Sequence, residues 1–175
     1  MVNKARRIDQ VLDPELLGGL EQLDLDQLRE RRDLAESVEN ELSYYRRVLH
    51  GRMDLLAFEA RRRSGEETRS LIDALPEILS GRDQAPNSTG GRHMTTSLPE
   101  LPVTGRRHID RVLGPDVVVK LAEFDTDTLT ALQDELSEVE VETSALRRQV
   151  QIVVDRLQSE IIARYKAGVL DPGRA

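Results

Sequence analysis

Residues 35–56, AESVENELSYYRRVLHGRMDLL, decide the fold. Ala35, Val38, Leu42, Tyr45, Leu49 and Leu56 follow one another at alternating steps of three and four residues, with Arg52 holding the place between Leu49 and Leu56. That period is the seam of a coiled-coil helix, which needs a second helix to cover it. The chain supplies one at an offset of 101: in residues 136–157, LSEVEVETSALRRQVQIVVDRL, the positions Leu136, Val139, Thr143, Leu146, Val150, Val153 and Leu157 keep the same register.

The correspondence reaches outward from the seam, aligning residues 6–56 with 107–157 without a gap. Arg6, Ile8, Asp9, Val11, Leu12 and Pro14 recur as Arg107, Ile109, Asp110, Val112, Leu113 and Pro115. Two copies are too few for a solenoid, so the chain reads as a pseudo-symmetric pair. Each copy predicts a short helix followed by a long one. The first short helix is marked by Asp13-Pro14 and ends near Gly18-Gly19. The first long helix begins at Asp24, an N-cap residue with Gln27 three positions on, and runs to about Arg63, before Ser64-Gly65. Its counterpart begins near Asp125 and continues to about Lys166, ahead of Gly168 and Pro172. About 40 residues make a rod roughly 60 Å long. Glu66 to Leu79 predicts a further helix interrupted at Pro76, and the Gly-, Pro-, Ser- and Thr-rich stretch from Gly81 to Gly105 predicts a linker. The expected class is all-α. Its parts are a first repeat at 6–64, an accessory helix and flexible linker at 65–106, and a second repeat at 107–168. Loop length leaves the relative direction of the two long helices open.

Composition narrows the function. The 175 residues carry 25 Lys plus Arg against 32 Asp plus Glu, a formal charge of -7, which disfavours general binding to a polyanion such as DNA. Aromatic residues are 3% with no Trp, too few for a base-stacking surface of the single-strand-binding type. The absence of cysteine removes disulfides, thiolate metal sites and cysteine nucleophiles. No apolar run approaches a membrane span, and the charged start from Met1 to Gln10 does not read as a signal peptide, so a cytoplasmic location is expected.

Beside the seam lies a polar stripe. Glu39, Ser43, Arg46, His50 and Asp54 are spaced by 4, 3, 4 and 4 residues, and so occupy an arc of about 80° on a helix. Glu140, Ser144, Arg147, Gln151 and Asp155 repeat that spacing in the second copy. Charged residues flanking a seam are ordinarily solvated. A solvated face need only stay polar, however, whereas here Glu, Ser, Arg and Asp recur by identity. If the helices pack through their seams, the stripes can line a shared groove. Arg forks onto O6 and N7 of guanine, a carboxylate accepts from guanine N1 and N2, and Arg or Ser reaches phosphate oxygens. The inventory suits a guanine nucleotide.

The pattern Glu, three residues, Ser, two, Arg, three, Gln, three, Asp resembles the cyclic di-GMP-binding signature of the RsiG family of actinomycete anti-sigma factors. Glu140, Ser144, Arg147, Gln151 and Asp155 match it throughout; Glu39, Ser43, Arg46 and Asp54 match, with His50 in the place of Gln. The resemblance implies an antiparallel coiled coil whose two motifs together hold a dimer of cyclic di-GMP. It also implies that the loaded protein sequesters a WhiG-like sigma factor of the flagellar and sporulation type. His50 offers fewer hydrogen-bonding sites than Gln and, unlike Gln, can take up a proton, so the first half-site is expected to be weaker or pH-sensitive.

Other chemistry is less well supplied. His50 and Asp54 have metal-ligand spacing, but the second copy has Gln151 where another imidazole would be wanted, while His93 and His108 lie far along the chain. Catalysis by Ser43 or Ser144 would need a base that the second copy lacks, and no Walker-type phosphate loop occurs. Arg61, Arg62 and Arg63 complement the dipole at a helix end. Tyr44 and Tyr45 can stack on a base, although Tyr45 sits on the seam. The expectation is a non-enzymatic receptor for cyclic di-GMP that holds a sigma factor. The alternatives are a dinucleotide receptor with another partner and a ligand-free structural coiled coil.

Overall fold

A computed structural model describes residues 6–80, 121 and 123–168, and among these every regular element is helical. Helix α1 spans Arg7–Val11, α2 Leu25–Ser64, α3 Leu71–Ser80 and α4 Thr126–Lys166, with 3₁₀ turns at Pro14–Leu17 and Leu20–Gln22. The all-α class with two long packed helices is as expected. The linker from Gly81 to Gly105, the second short helix, His93 and His108 lie outside the described residues.

The long helices start where their caps dictate. Asp24 Oδ1 accepts from the Gln27 backbone N–H at 2.7 Å, and Gln27 Oε1 accepts from the Asp24 N–H at 3.0 Å, a reciprocal capping box. Asp125 Oδ1 accepts from the Thr128 N–H at 2.7 Å at the start of α4. Past the ends, Gly65 and Gly168 adopt φ of 83° and 70°, a conformation that stops a helix at little cost only for glycine. Asp24→Ala removes one half of the first box and is expected to lower stability by about 1 kcal/mol, measured as a shift in the thermal unfolding midpoint.

The described residues form two compact units, one reaching Ser43 and resuming at Thr143, the other from Tyr44 to Glu142. In the first unit, Leu28, Ala35, Val38 and Leu42 of α2 pack with Val150, Val153, Leu157 and Ile161 of α4, and Ile8 and Val11 of α1 close the cluster. The two long helices run antiparallel here, because Glu39, Arg32 and Arg29 of α2 meet Arg147, Gln158 and Tyr165 of α4 in opposite numerical order. Arg7 fastens α1 by donating to the buried Glu41 carboxylate and to Ser37 Oγ.

The second unit repeats this plan with α3 added. Leu49, Leu55 and Leu56 of α2 pack with Leu121 and with Leu129, Leu136 and Val139 of α4, and Leu71, Leu75 and Ile78 of α3 lie against them. Arg46 and His50 meet Glu140, while Arg63 meets the Leu121 carbonyl, so the direction is again antiparallel.

Several expectations need correction. The first short helix is two pieces: α1 ends before Asp13, and Pro14 opens a 3₁₀ turn capped by Asp13 Oδ1, which accepts from the Glu15 N–H at 2.9 Å. Pro14 has no N–H with which to continue α1, and Gly19, at φ 60°, redirects the chain. The accessory helix starts at Leu71 and not at Glu66, because the Glu66 and Glu67 N–H groups bond back to the Arg61 carbonyl. Ser70 then caps it, accepting from the Asp73 N–H and donating to the Asp73 carboxylate. Pro76 does not interrupt it: the ring sits inside α3 on its exposed side, and the helix runs on to Ser80. On the seam, Leu146 is 36% exposed where its repeat counterpart Tyr45 is buried. Arg52, which holds a seam place, is half-buried, and the other named seam residues of both copies are buried.

The basic run after Phe58 does more than face a dipole. Glu59, its side chain 3% exposed, accepts from Arg62 and Arg63, each at 2.8 Å, and Arg63 also donates to the Leu121 carbonyl at 3.1 Å. The same clasp stands in the first unit, where Arg164 pairs with Glu160 at 3.0 Å and donates to the carbonyls of Leu20 and Leu23. Glu160, Arg164 and Leu20 are the repeat equivalents of Glu59, Arg63 and Leu121, so the repeat extends to Arg63 and Arg164.

The Arg62 guanidinium, assisted by Arg63, holds the Glu59 carboxyl below the usual carboxylate range against the opposing effect of burial. A depressed carboxyl contributes stability that is complete above its unfolded value, about 4.3, and is lost as pH falls through the lower folded value. Glu59→Gln is therefore expected to flatten the acid limb of stability against pH below about 4.3. Denaturant melts at stepped pH check this, and an unchanged acid limb would show that the carboxylate is not what responds.

Candidate ligand site

The antiparallel direction brings the beginning of each polar stripe to the later part of the other. In the first unit, Glu39 of α2 meets Arg147 of α4: Arg147 Nη1 donates to Glu39 Oε1 at 3.0 Å. The same carboxylate oxygen accepts from Ser43 Oγ at 2.8 Å, one turn along α2. Arg147 Nη1 also reaches Gln151 Oε1 at 3.3 Å, while Gln151 itself is exposed. The Arg147 Nε atom is buried with no hydrogen-bond partner among the described residues.

In the second unit, the repeat equivalents make the reciprocal pair. Arg46 Nε donates to Glu140 Oε1 at 3.0 Å. His50 Nε2 lies 2.9 Å from the same oxygen; because an ionised carboxylate can only accept, that nitrogen carries the proton. Asp54 is half-buried one turn beyond His50; of the first unit's remaining motif residues, Ser144 is half-buried and Asp155, one turn beyond Gln151, is exposed.

Each unit takes its glutamate from one motif and its arginine from the other: Glu39 with Arg147, and Arg46 with Glu140. Neither repeat assembles such a set from its own helix. In both units the guanidinium and carboxylate are part-buried, where charge-assisted hydrogen bonds are stronger than at an open surface. Tyr45 is core, as its seam position predicts, and its ring meets the exposed Tyr44 edge-on at 6.4 Å. Among the described residues, no three His, Asp or Glu side chains converge in a way that holds a metal ion, and no helix is long and apolar enough to cross a membrane.

Residues 14–79 match the family model described as RsiG-like, which supports the RsiG-type resemblance read from the motifs. The matched span holds the first motif, with its His50, and stops short of the second. No curated protein matches the chain. The family match suggests a function of the anti-sigma factor type, with a sigma factor as partner in general.

Proposed function

We propose, with the RsiG-like character of this chain as premise, that it is a non-enzymatic, cyclic di-GMP-dependent anti-sigma factor that sequesters a WhiG-like sigma factor. The observation carrying this reading is the crossed Glu–Arg pair found in each unit and built from motif residues. A carboxylate to accept from guanine N1 and N2, beside an arginine to fork onto O6 and N7 or onto phosphate, is the donor and acceptor set that a guanine edge needs. Each unit carries one such set. The unpartnered Arg147 Nε supports the same reading, because a buried donor gains when an acceptor arrives. The ten ligand-binding residues of this proposal are Glu39, Ser43, Arg46, His50 and Asp54 with Glu140, Ser144, Arg147, Gln151 and Asp155.

The second reading, a ligand-free structural coiled coil, is favoured by the ion pairs themselves, since charges flanking a seam commonly do no more than pair the helices. Calorimetric titration of cyclic di-GMP into the purified chain separates the two. Saturable binding is expected; a folded chain that takes up none overturns the proposal. Pull-down of a purified WhiG-type sigma factor with and without the dinucleotide then tests the partner. Retention only with ligand is expected, and equal retention in both arms would remove the ligand dependence.

A further inference from the structure

We propose that the two half-sets are unequal and that His50 makes them so: the set in the first unit takes up cyclic dinucleotide more tightly, and the set in the second more weakly. This inference rests on the cyclic di-GMP reading above. In the first unit, a single donor reaches Glu39 from the facing helix, Arg147 at 3.0 Å, while Ser43 donates from the same helix as the carboxylate. Gln151 stays exposed on α4 and turns its carbonyl to Arg147, leaving Glu39 alone. In the second unit, the residue at the equivalent position behaves differently. His50 is folded inward, its side chain 22% exposed, and joins Arg46 on one oxygen of Glu140 from across the helix pair, at 2.9 and 3.0 Å.

The difference follows from the chemistry of the two side chains. A glutamine amide carries both an acceptor and donors, so Gln151 finds a partner in the arginine of its own helix. The imidazole Nε2–H is a donor only, and the acceptor within its reach is the carboxylate of the facing helix. A guanine edge that donates to Glu140 therefore competes with donors held across the helix pair by both Arg46 and His50, whereas at Glu39 one of the two donors, Ser43, lies on the carboxylate's own helix. On the arginine side the imbalance has the same direction. The first unit holds a buried Arg147 Nε without a partner among the described residues, whereas Arg46 already spends its Nε on Glu140. His50 is thus a clamp on the ligand's acceptor as well as a motif position.

The test is calorimetric titration of cyclic di-GMP into the full chain, its H50Q variant and its Q151H variant, with melting curves to confirm that each is folded. Two steps of unequal affinity are expected for the unmodified chain. H50Q should tighten the weaker step by roughly three- to tenfold, the factor corresponding to one net hydrogen bond, and leave the tighter step in place. Q151H should weaken the tighter step. Two indistinguishable steps in the unmodified chain, or an H50Q titration that overlays it or is weaker, would overturn the role given to His50. Absence of any binding by the unmodified chain is a different result: it removes the cyclic di-GMP reading itself.

Discussion

Leu49→Ala is expected to destabilise the protein by about 2 to 5 kcal/mol, whereas Leu146→Ala should cost well under 1 kcal/mol. Leu49 is fully buried in the cluster with Leu56, Leu121, Leu129 and Leu136, so truncation removes its transfer free energy and leaves a cavity that rigid helices collapse only in part. Leu146 holds a seam position by spacing but keeps over a third of its surface exposed, and solvent already occupies the space that truncation would open. Chemical denaturation of both variants measures the contrast. Equal losses would mean that α4 is rotated about its axis relative to the packing described.

Arg46→Ala and Arg147→Ala are each expected to weaken cyclic di-GMP binding by about 1 to 3 kcal/mol, roughly five- to 150-fold, with helix content unchanged. Each substitution acts twice. It removes the fork proposed to read a guanine, and it strands the facing carboxylate, Glu140 or Glu39, without its cross-helix cation. Both ion pairs are part-exposed, so their loss alone should change stability by less than about 1 kcal/mol. A large drop in affinity with a small drop in melting temperature would therefore locate the effect in recognition. Unchanged affinity in both single variants would remove these residues from the site.

How much the sequence reveals varies along the chain with the range of the interactions involved. Asp24 with Gln27, and Asp125 with Thr128, are local, so the starts of the two long helices were legible to about a residue. The seam was readable because burial repeats with the period of the helix; the period does not reveal that Leu146 is exposed at its place. Pro76 was read as an interruption because the local rule concerns a missing N–H and not the position of the ring, which here is exposed. The motif residues were legible as two stripes, each on its own helix. Their crossing into Glu39 with Arg147 and Arg46 with Glu140 was not, because helix direction is not written in periodicity. The clasp of Glu59, Arg63 and Leu121 was within reach of the sequence: carrying the offset of 101 beyond Leu157 pairs Glu59 with Glu160 and Arg63 with Arg164.

The crossed pairs obey the contact rule of a two-fold homodimer, in which position i of one copy meets j of the other and j meets i. A chain carrying only one repeat could meet that rule by pairing with a second copy of itself, but every substitution would then be inherited in duplicate, at both places at once. Joining the repeats in one polypeptide lifts that constraint. Position 50 and position 151 can mutate separately, and they already differ as His and Gln. Fusion therefore gives selection two independent dials where a self-pairing subunit has one.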